Sequence, residues 1–172
     1  MSLKLSNQMS NLRRQAGVSI VEALVALLVL SIGMLGVAGL YLESLRANRT
    51  ALSRTVAVQL VNDMADRIRA NRGGLDQYAL VDGAPPTGGA DCSAALCTPV
   101  QLALYDKVQW YTSVQNQLPK GPSGTIVPRT AIAYTAAVGT TPARYTITTW
   151  WRETGEVDYL STSVEVMILG TT

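Results

Sequence analysis

The sequence predicts an α+β protein with one long N-terminal helix, whose outer half packs on a small antiparallel β-sheet, and a short second helix between the two. Three observations lead there. Apolar residues are concentrated near the N-terminus, an apolar residue recurs every four positions well beyond that stretch, and from Thr125 onward β-branched and aromatic residues take over. At 172 residues the chain has room for one core of ordinary size plus an appendage.

The long helix comes first. From Ala23 to Leu42 no residue carries a charge. Twenty residues at the helical rise span roughly 30 Å, the thickness of a bilayer's hydrocarbon core. The run is too long for the apolar segment of a secretory signal peptide. Basic residues flank it on both sides, with Lys4, Arg13 and Arg14 before it and Arg46, Arg49 and Arg54 after it, so charge counting leaves its orientation tied. Beyond Leu42, Leu52, Val56, Leu60, Met64 and Ile68 keep a four-residue spacing with charges between them, so one helix should run on into a globular domain. Asn71 to Gly74 reads as its end, with Arg67, Arg69 and Arg72 where cations suit the carbonyl terminus. A nucleic-acid patch would need aromatic residues interleaved with these arginines, and none is near.

Asp82 to Cys97 is rich in Gly, Pro, Ala and Ser and reads as an exposed loop. Its two cysteines, Cys92 and Cys97, are too few for a closed structural zinc site and predict a disulfide formed in an oxidising compartment. That places the C-terminal part of the chain outside the cytoplasmic membrane. A ring this short contributes roughly 2 kcal/mol, enough to hold a loop but not a fold.

Thr98-Pro99-Val100-Gln101 supplies an N-cap, a proline at the first helical position and the glutamine of a capping box. The apolar spacing of Leu104, Val108, Tyr111, Val114 and Leu118 predicts an amphipathic helix over 99–118, stopped by Pro119-Lys120-Gly121-Pro122. Strands are expected at 132–138, 144–152 and 157–169, with Glu153 to Glu156 as the turn between the last two. Trp150 and Trp151 are adjacent, so in a strand they face opposite sides and only one enters the core. The other lies under a loop or against a neighbouring subunit.

Composition also excludes functions. With no histidine in the chain, Ser-His-Asp and Cys-His catalysis and every His-containing metal site are ruled out. No acid–base pair stands out, so the sequence offers no catalytic, cofactor or metal residue and the chain is not read as an enzyme.

One acidic residue does not fit a plain anchor. Glu22 sits at the mouth of the apolar run, where a carboxylate within a membrane helix costs about 2.5 to 3.5 kcal/mol unless it is partnered. A cut between Gly17 and Val18 would place a new α-amino group one helical turn away. Gly17-Val18-Ser19-Ile20-Val21-Glu22, preceded by a basic leader and followed by the apolar run, resembles the class III signal of type IV prepilins and pseudopilins. The resemblance implies that a prepilin peptidase cuts after Gly17 and N-methylates Val18, and that Glu22 is the family's assembly glutamate. The family more often has Phe where this chain has Val18. Cleavage would also remove Lys4, Arg13 and Arg14 and no acidic residue, leaving eleven basic side chains against twelve acidic ones and no general affinity for nucleic acid.

The implied organisation is a cleaved leader over 1–17, a membrane and filament-core helix over 18–42 and a periplasmic pilin domain over 43–172, adopting the type IV pilin fold. Gly33, Gly36 and Gly39 within the helix allow close packing of neighbouring helices, local loosening, or both. Leu118 to Gly124 and Tyr145 to Trp150 resemble the PilV-type minor pilins. That likeness implies a subunit that joins other minor pilins and the major pilin, primes assembly at or near the pilus tip, supports a large PilY-type adhesin there and so serves adhesion and twitching. A minor pseudopilin of type II secretion shares the signal and fold. A DNA- or ligand-binding minor pilin would need an exposed basic or aromatic patch.

Overall fold

The computed structural model describes residues 17–121 and 127–168. The element order is α1 (Ile20–Ala70), a 3-10 segment η1 (Arg72–Tyr78), α2 (Pro99–Gln117), β1 (Arg129–Thr135), β2 (Ala143–Trp151) and β3 (Leu160–Ile168). The chain divides into two compact units, with the boundary between Leu45 and Arg46.

In the C-terminal unit the sheet is antiparallel throughout, in the order β1-β2-β3. Alternation sets its two faces. Tyr145, Ile147 and Trp151 of β2 point inward, together with Ile132 of β1 and Val166 of β3. They share one core with Leu60, Val61, Met64 and Ile68 of α1 and with Trp110 and Val114 of α2. Burying each large apolar side chain of this kind contributes about 1.5 to 3 kcal/mol. Trp110 is wholly buried and donates from Nε1 to the Leu60 carbonyl at 2.8 Å, which ties α2 to α1 while satisfying the indole. The opposite face of the sheet has small residues at its centre, Ala131, Ala133, Thr146, Thr148, Ser161 and Ser163, with Arg129 and Trp150 at one end and Arg144, Glu165 and Met167 at the other.

This is the α+β type IV pilin fold expected from the sequence, with four local differences. The first is in α1, where the buried side of the C-terminal unit is Ala57, Leu60, Val61, Met64, Ala65 and Ile68, while Leu52 is 66% exposed. The second is in α2, where the deeply buried positions are Ala103, Asp106, Lys107, Trp110 and Val114. Leu104, Val108 and Tyr111 stand one position round the helix and are only half-buried. Gly89 of the preceding loop packs close to Leu104 and Tyr105, so this end of the stripe meets loop. Third, β1 starts at Arg129, immediately after Pro128, and ends at Thr135, earlier than the expected 132–138. Fourth, β3 starts at Leu160 because the turn after Trp151 extends through exposed Val157. Leu169 lies outside the described residues.

The capping box is present as predicted. Thr98 Oγ1 accepts from the Gln101 amide, and Gln101 Oε1 accepts from the Thr98 amide. η1 had no periodic signal and is held instead by a polar cluster. Asp106 Oδ1 accepts from Arg67 at 3.0 Å and Oδ2 accepts from the Tyr78 hydroxyl at 2.7 Å. Asn71 Nδ2 donates to Tyr78 Oη at 3.0 Å and to the Pro99 carbonyl at 2.7 Å. A Cβ on Gly74 would sit 2.8 Å from both Asn71 Nδ2 and Tyr78 Cε2, so only glycine fits under this cluster. The end of α1, η1 and the start of α2 are thereby pinned together.

Asp106→Ala should therefore lower stability by about 1 to 3 kcal/mol, because it leaves the buried Tyr78 hydroxyl only the more distant Arg67 carbonyl, at 3.5 Å, as an acceptor, while Arg67 keeps its second partner, Asp63. Thermal unfolding of the detergent-solubilised chain measures this. Burial, and then the Asp106 carboxylate, hold the Tyr78 phenol well above its ordinary range. Burial first, and Tyr134 next, push Tyr145 up to about 12. Both phenols keep their protons longer when folded than in the unfolded chain, whose tyrosines titrate near about 10. Their contribution to stability is complete below that pH and is lost as pH rises through the folded values. In an alkaline titration followed by tyrosinate absorbance, these two of the seven tyrosines should ionise last, together with unfolding.

Candidate functional site

The chain's most exposed apolar surface is in the N-terminal unit. Gly17, Val18 and Ser19 precede α1 without helical structure, and all three are exposed. Ser19 Oγ accepts from the Val21 amide at 3.3 Å and the Ser19 carbonyl accepts from the Ala23 amide at 3.1 Å, so Ser19 caps the helix. Glu22 lies in the first turn, where a carboxylate suits the positive end of the helix dipole. The cap is a site residue the sequence reading passed over. Its signal was available, because Ser19-x-x-Glu22 has the spacing of a capping box.

From Ile20 onward the helix is unbroken through Gly33, Gly36 and Gly39, and a Cβ on any of these glycines would touch nothing within 4 Å. Its most apolar 18-residue window has a mean hydropathy of 2.5 and none of it is buried within the chain. Leu24, Leu28, Leu35 and Leu40 are between 61% and 74% exposed. A surface this apolar requires a membrane or other protein around it. The leader residues Lys4, Arg13 and Arg14 lie outside the described residues.

In the C-terminal unit Cys92 and Cys97 form a disulfide. It closes a small ring that carries the fully exposed Leu96, and Asp91 Oδ1 accepts from both the amide and the hydroxyl of Ser93 inside it. Those hydrogen bonds hold the Asp91 carboxyl below its usual range. Arg67 is paired with Asp63 and Asp106, and Arg69 with Asp66. Trp151 is the tryptophan that enters the core, donating from Nε1 to Glu153 at 3.0 Å. Trp150 is half-buried on the outer face beneath the Arg129 guanidinium, 5.3 Å from its ring centre. Among the described residues no group of three or more Asp, Glu or Cys side chains could hold a metal ion. Of the Leu118–Gly124 fragment, Pro122, Ser123 and Gly124 lie outside the described residues.

An exposed apolar helix with a capped start, followed by an α+β domain with one core, suits a subunit anchored in a membrane by its N-terminal helix. Residues 12–38 match the prokaryotic N-terminal methylation motif, and residues 39–108 match the family of type IV pilin Tt1218. The two matches abut and together cover more than half of the chain. The chain belongs to the type IV prepilin family. No curated protein and no solved structure matches it significantly. It is a structural pilin subunit of a non-enzymatic family, and its methylation motif implies processing by a prepilin peptidase, membrane anchoring and assembly with other pilins.

The disulfide closes a surface ring and crosses no core element, so Cys92→Ser with Cys97→Ser should lower stability by no more than about 2 kcal/mol. The far-UV circular dichroism of the folded protein should stay unchanged.

Proposed function

We propose that the chain is a minor pilin of the PilV type, cut between Gly17 and Val18, methylated at Val18 and built into a pilus at or near its tip. The observation that carries the cut is the state of Gly17. It is exposed, non-helical and has open space where a Cβ would stand, so nothing in the folded chain requires glycine there. The match of residues 12–38 to the N-terminal methylation motif, which spans Gly17 and Val18, supports a peptidase that reads this exposed segment. Ser19 starts the helix immediately after the scissile bond, so that bond lies in irregular backbone and the anchor is complete without the leader.

The new amine at Val18 and the Glu22 carboxylate lie one turn apart and neutralise each other when the helix leaves the bilayer interface for the filament core. Before assembly the mature chain spans the inner membrane once, with the domain from residue 43 onward in the periplasm. The disulfide supports that orientation, since such bonds form and persist in an oxidising compartment. The likeness of Leu118 to Gly124 and Tyr145 to Trp150 to PilV-type sequences supports a place beside other minor pilins and a PilY-type adhesin, and hence a role in adhesion and twitching.

Mass spectrometry of sheared pili tests this reading. A peptide beginning at N-methylated Val18 is the expected finding. Chains that all retain residues 1–17, in cells whose other prepilins are processed, would replace it with a plain anchor. Glu22→Ala should be processed normally yet be incorporated about tenfold less than wild type, as loss of roughly 1.4 kcal/mol of assembly energy requires.

A further inference from the structure

The outer face of the sheet ends in a stack of alternating rings and guanidinium groups. Arg129 and Trp150 are cross-strand partners, and the Arg129 guanidinium lies 5.3 Å from the Trp150 ring centre and 5.6 Å from that of Tyr159. One step beyond the Trp151–Leu160 pair, the Arg152 guanidinium lies 5.1 Å from the other neighbour in the stack, Tyr159. The two arginines are not equivalent. Arg129 is forked onto Asp82 through both Nε and a terminal nitrogen, which uses up its bidentate edge. Arg152 forms no ion pair among the described residues, and its Nε is buried with no hydrogen-bond acceptor. On the opposite side from Tyr159, Lys120 forms a backbone bridge with Arg152 and is exposed.

The geometry points to a carboxylate-binding site formed by Arg152 and Lys120, whose ligand is an acidic side chain on the surface of a neighbouring pilin subunit. Three arguments support it. First, a guanidinium 5.1 Å from a ring centre with its Nε buried is partly ordered before a carboxylate arrives, which lowers the entropy cost of pairing at its terminal nitrogens. Second, charge is complementary: among the described residues Asp82 is the one carboxylate that pairs with either of the stack's arginines, Arg129 and Arg152, and Lys120 adds a third positive charge beside Arg152 through their backbone bridge. The nearest acids in sequence do not satisfy it, because Glu153 accepts from Trp151 while Glu156 and Asp158 pair with neither arginine. Third, the sheet face next to the stack carries small side chains at its centre, Ala131, Thr148, Ser161 and Ser163, which leaves room for another subunit to approach there. A protein carboxylate is favoured over a nucleic-acid phosphate because the chain assembles with other pilins and, once cut, is left with slightly more acidic than basic side chains. The inference rests on the filament reading.

A water-soluble carbodiimide, which joins an amine to a carboxylate in contact with it, tests the site on sheared filaments. The expected product is an amide between Lys120 and an Asp or Glu of a different pilin. Lys120→Glu and Arg152→Glu should each lower the chain's abundance in filaments by about tenfold. Lys120 is exposed and its side chain makes no described contact, so its variant reads assembly without disturbing folding. A cross-link only to Glu156 or Asp158 of the same chain, or full incorporation of both variants, would overturn the site. A gel shift of DNA by the detergent-solubilised chain that Lys120→Glu abolishes would replace the acidic protein with nucleic acid. Absence of the wild-type chain from filaments would overturn the filament reading itself.

Discussion

An apolar helical surface twenty residues long cannot be left in water, and this constraint organises the rest of the molecule. At about 25 cal/mol per Å² of apolar area, the run from Ala23 to Leu42 gains more from a membrane or a bundle of like helices than any contact in the C-terminal unit could return. The C-terminal unit closes a core of its own from Ala57 onward. α1 therefore carries two kinds of apolar face within one continuous element. The first is apolar all round and belongs to lipid or to other subunits. The second is a stripe that belongs to Trp110, Ile132, Tyr145 and Ile147.

The composition of α1 follows from that division. Three glycines within the first segment each weaken a helix by about 0.8 to 1 kcal/mol relative to alanine, and no contact inside the chain repays them. They are tolerated because most other positions in the run are strongly apolar, and they leave shallow places on the helix surface. In the proposed filament those places admit a neighbouring helix or allow local unwinding. The single chain holds the helix unbroken through all three, so whichever outcome prevails is imposed by neighbours.

Much of the fold was legible in the sequence, because its strongest signals are local. The apolar run, the Thr98 capping box, the turn at Glu153–Glu156 and the alternation of β2 are each set by residues close in sequence. What was not legible depends on long-range partners. The four-residue spacing through Leu52 found α1 but not where the core begins, which is decided by the reach of the sheet. In α2 the visible stripe of Leu104, Val108 and Tyr111 lay one position from the buried one, which includes Asp106 and Lys107, residue types that are ordinarily exposed. They are buried because Arg67 and Tyr78 satisfy the carboxylate and the Ala79 carbonyl accepts from Lys107 at 3.2 Å. η1 was missed for the same reason, since its only determinants are Gly74 and the polar groups above it. At the N-terminus the residues of the candidate site were all visible in the sequence, and the structure adds the cap at Ser19.

Charge shows how the two units are fitted to one assembly. In the C-terminal unit several arginines are paired within the chain: Arg67 with Asp63 and Asp106, Arg69 with Asp66, Arg129 with Asp82 and Arg144 with Glu165. Exposed pairs of this kind contribute little stability, about 0 to 1 kcal/mol each, so their main effect is to leave the surface close to neutral. In the N-terminal unit the proposed cut removes the leader's cations and pairs the one acidic residue of the first turn with the amine it creates. A subunit treated in this way presents little net charge along its length, which suits close packing beside other subunits. Against that background an ordered, unpaired guanidinium such as Arg152 stands out as a specific contact, since general electrostatic attraction has already been cancelled.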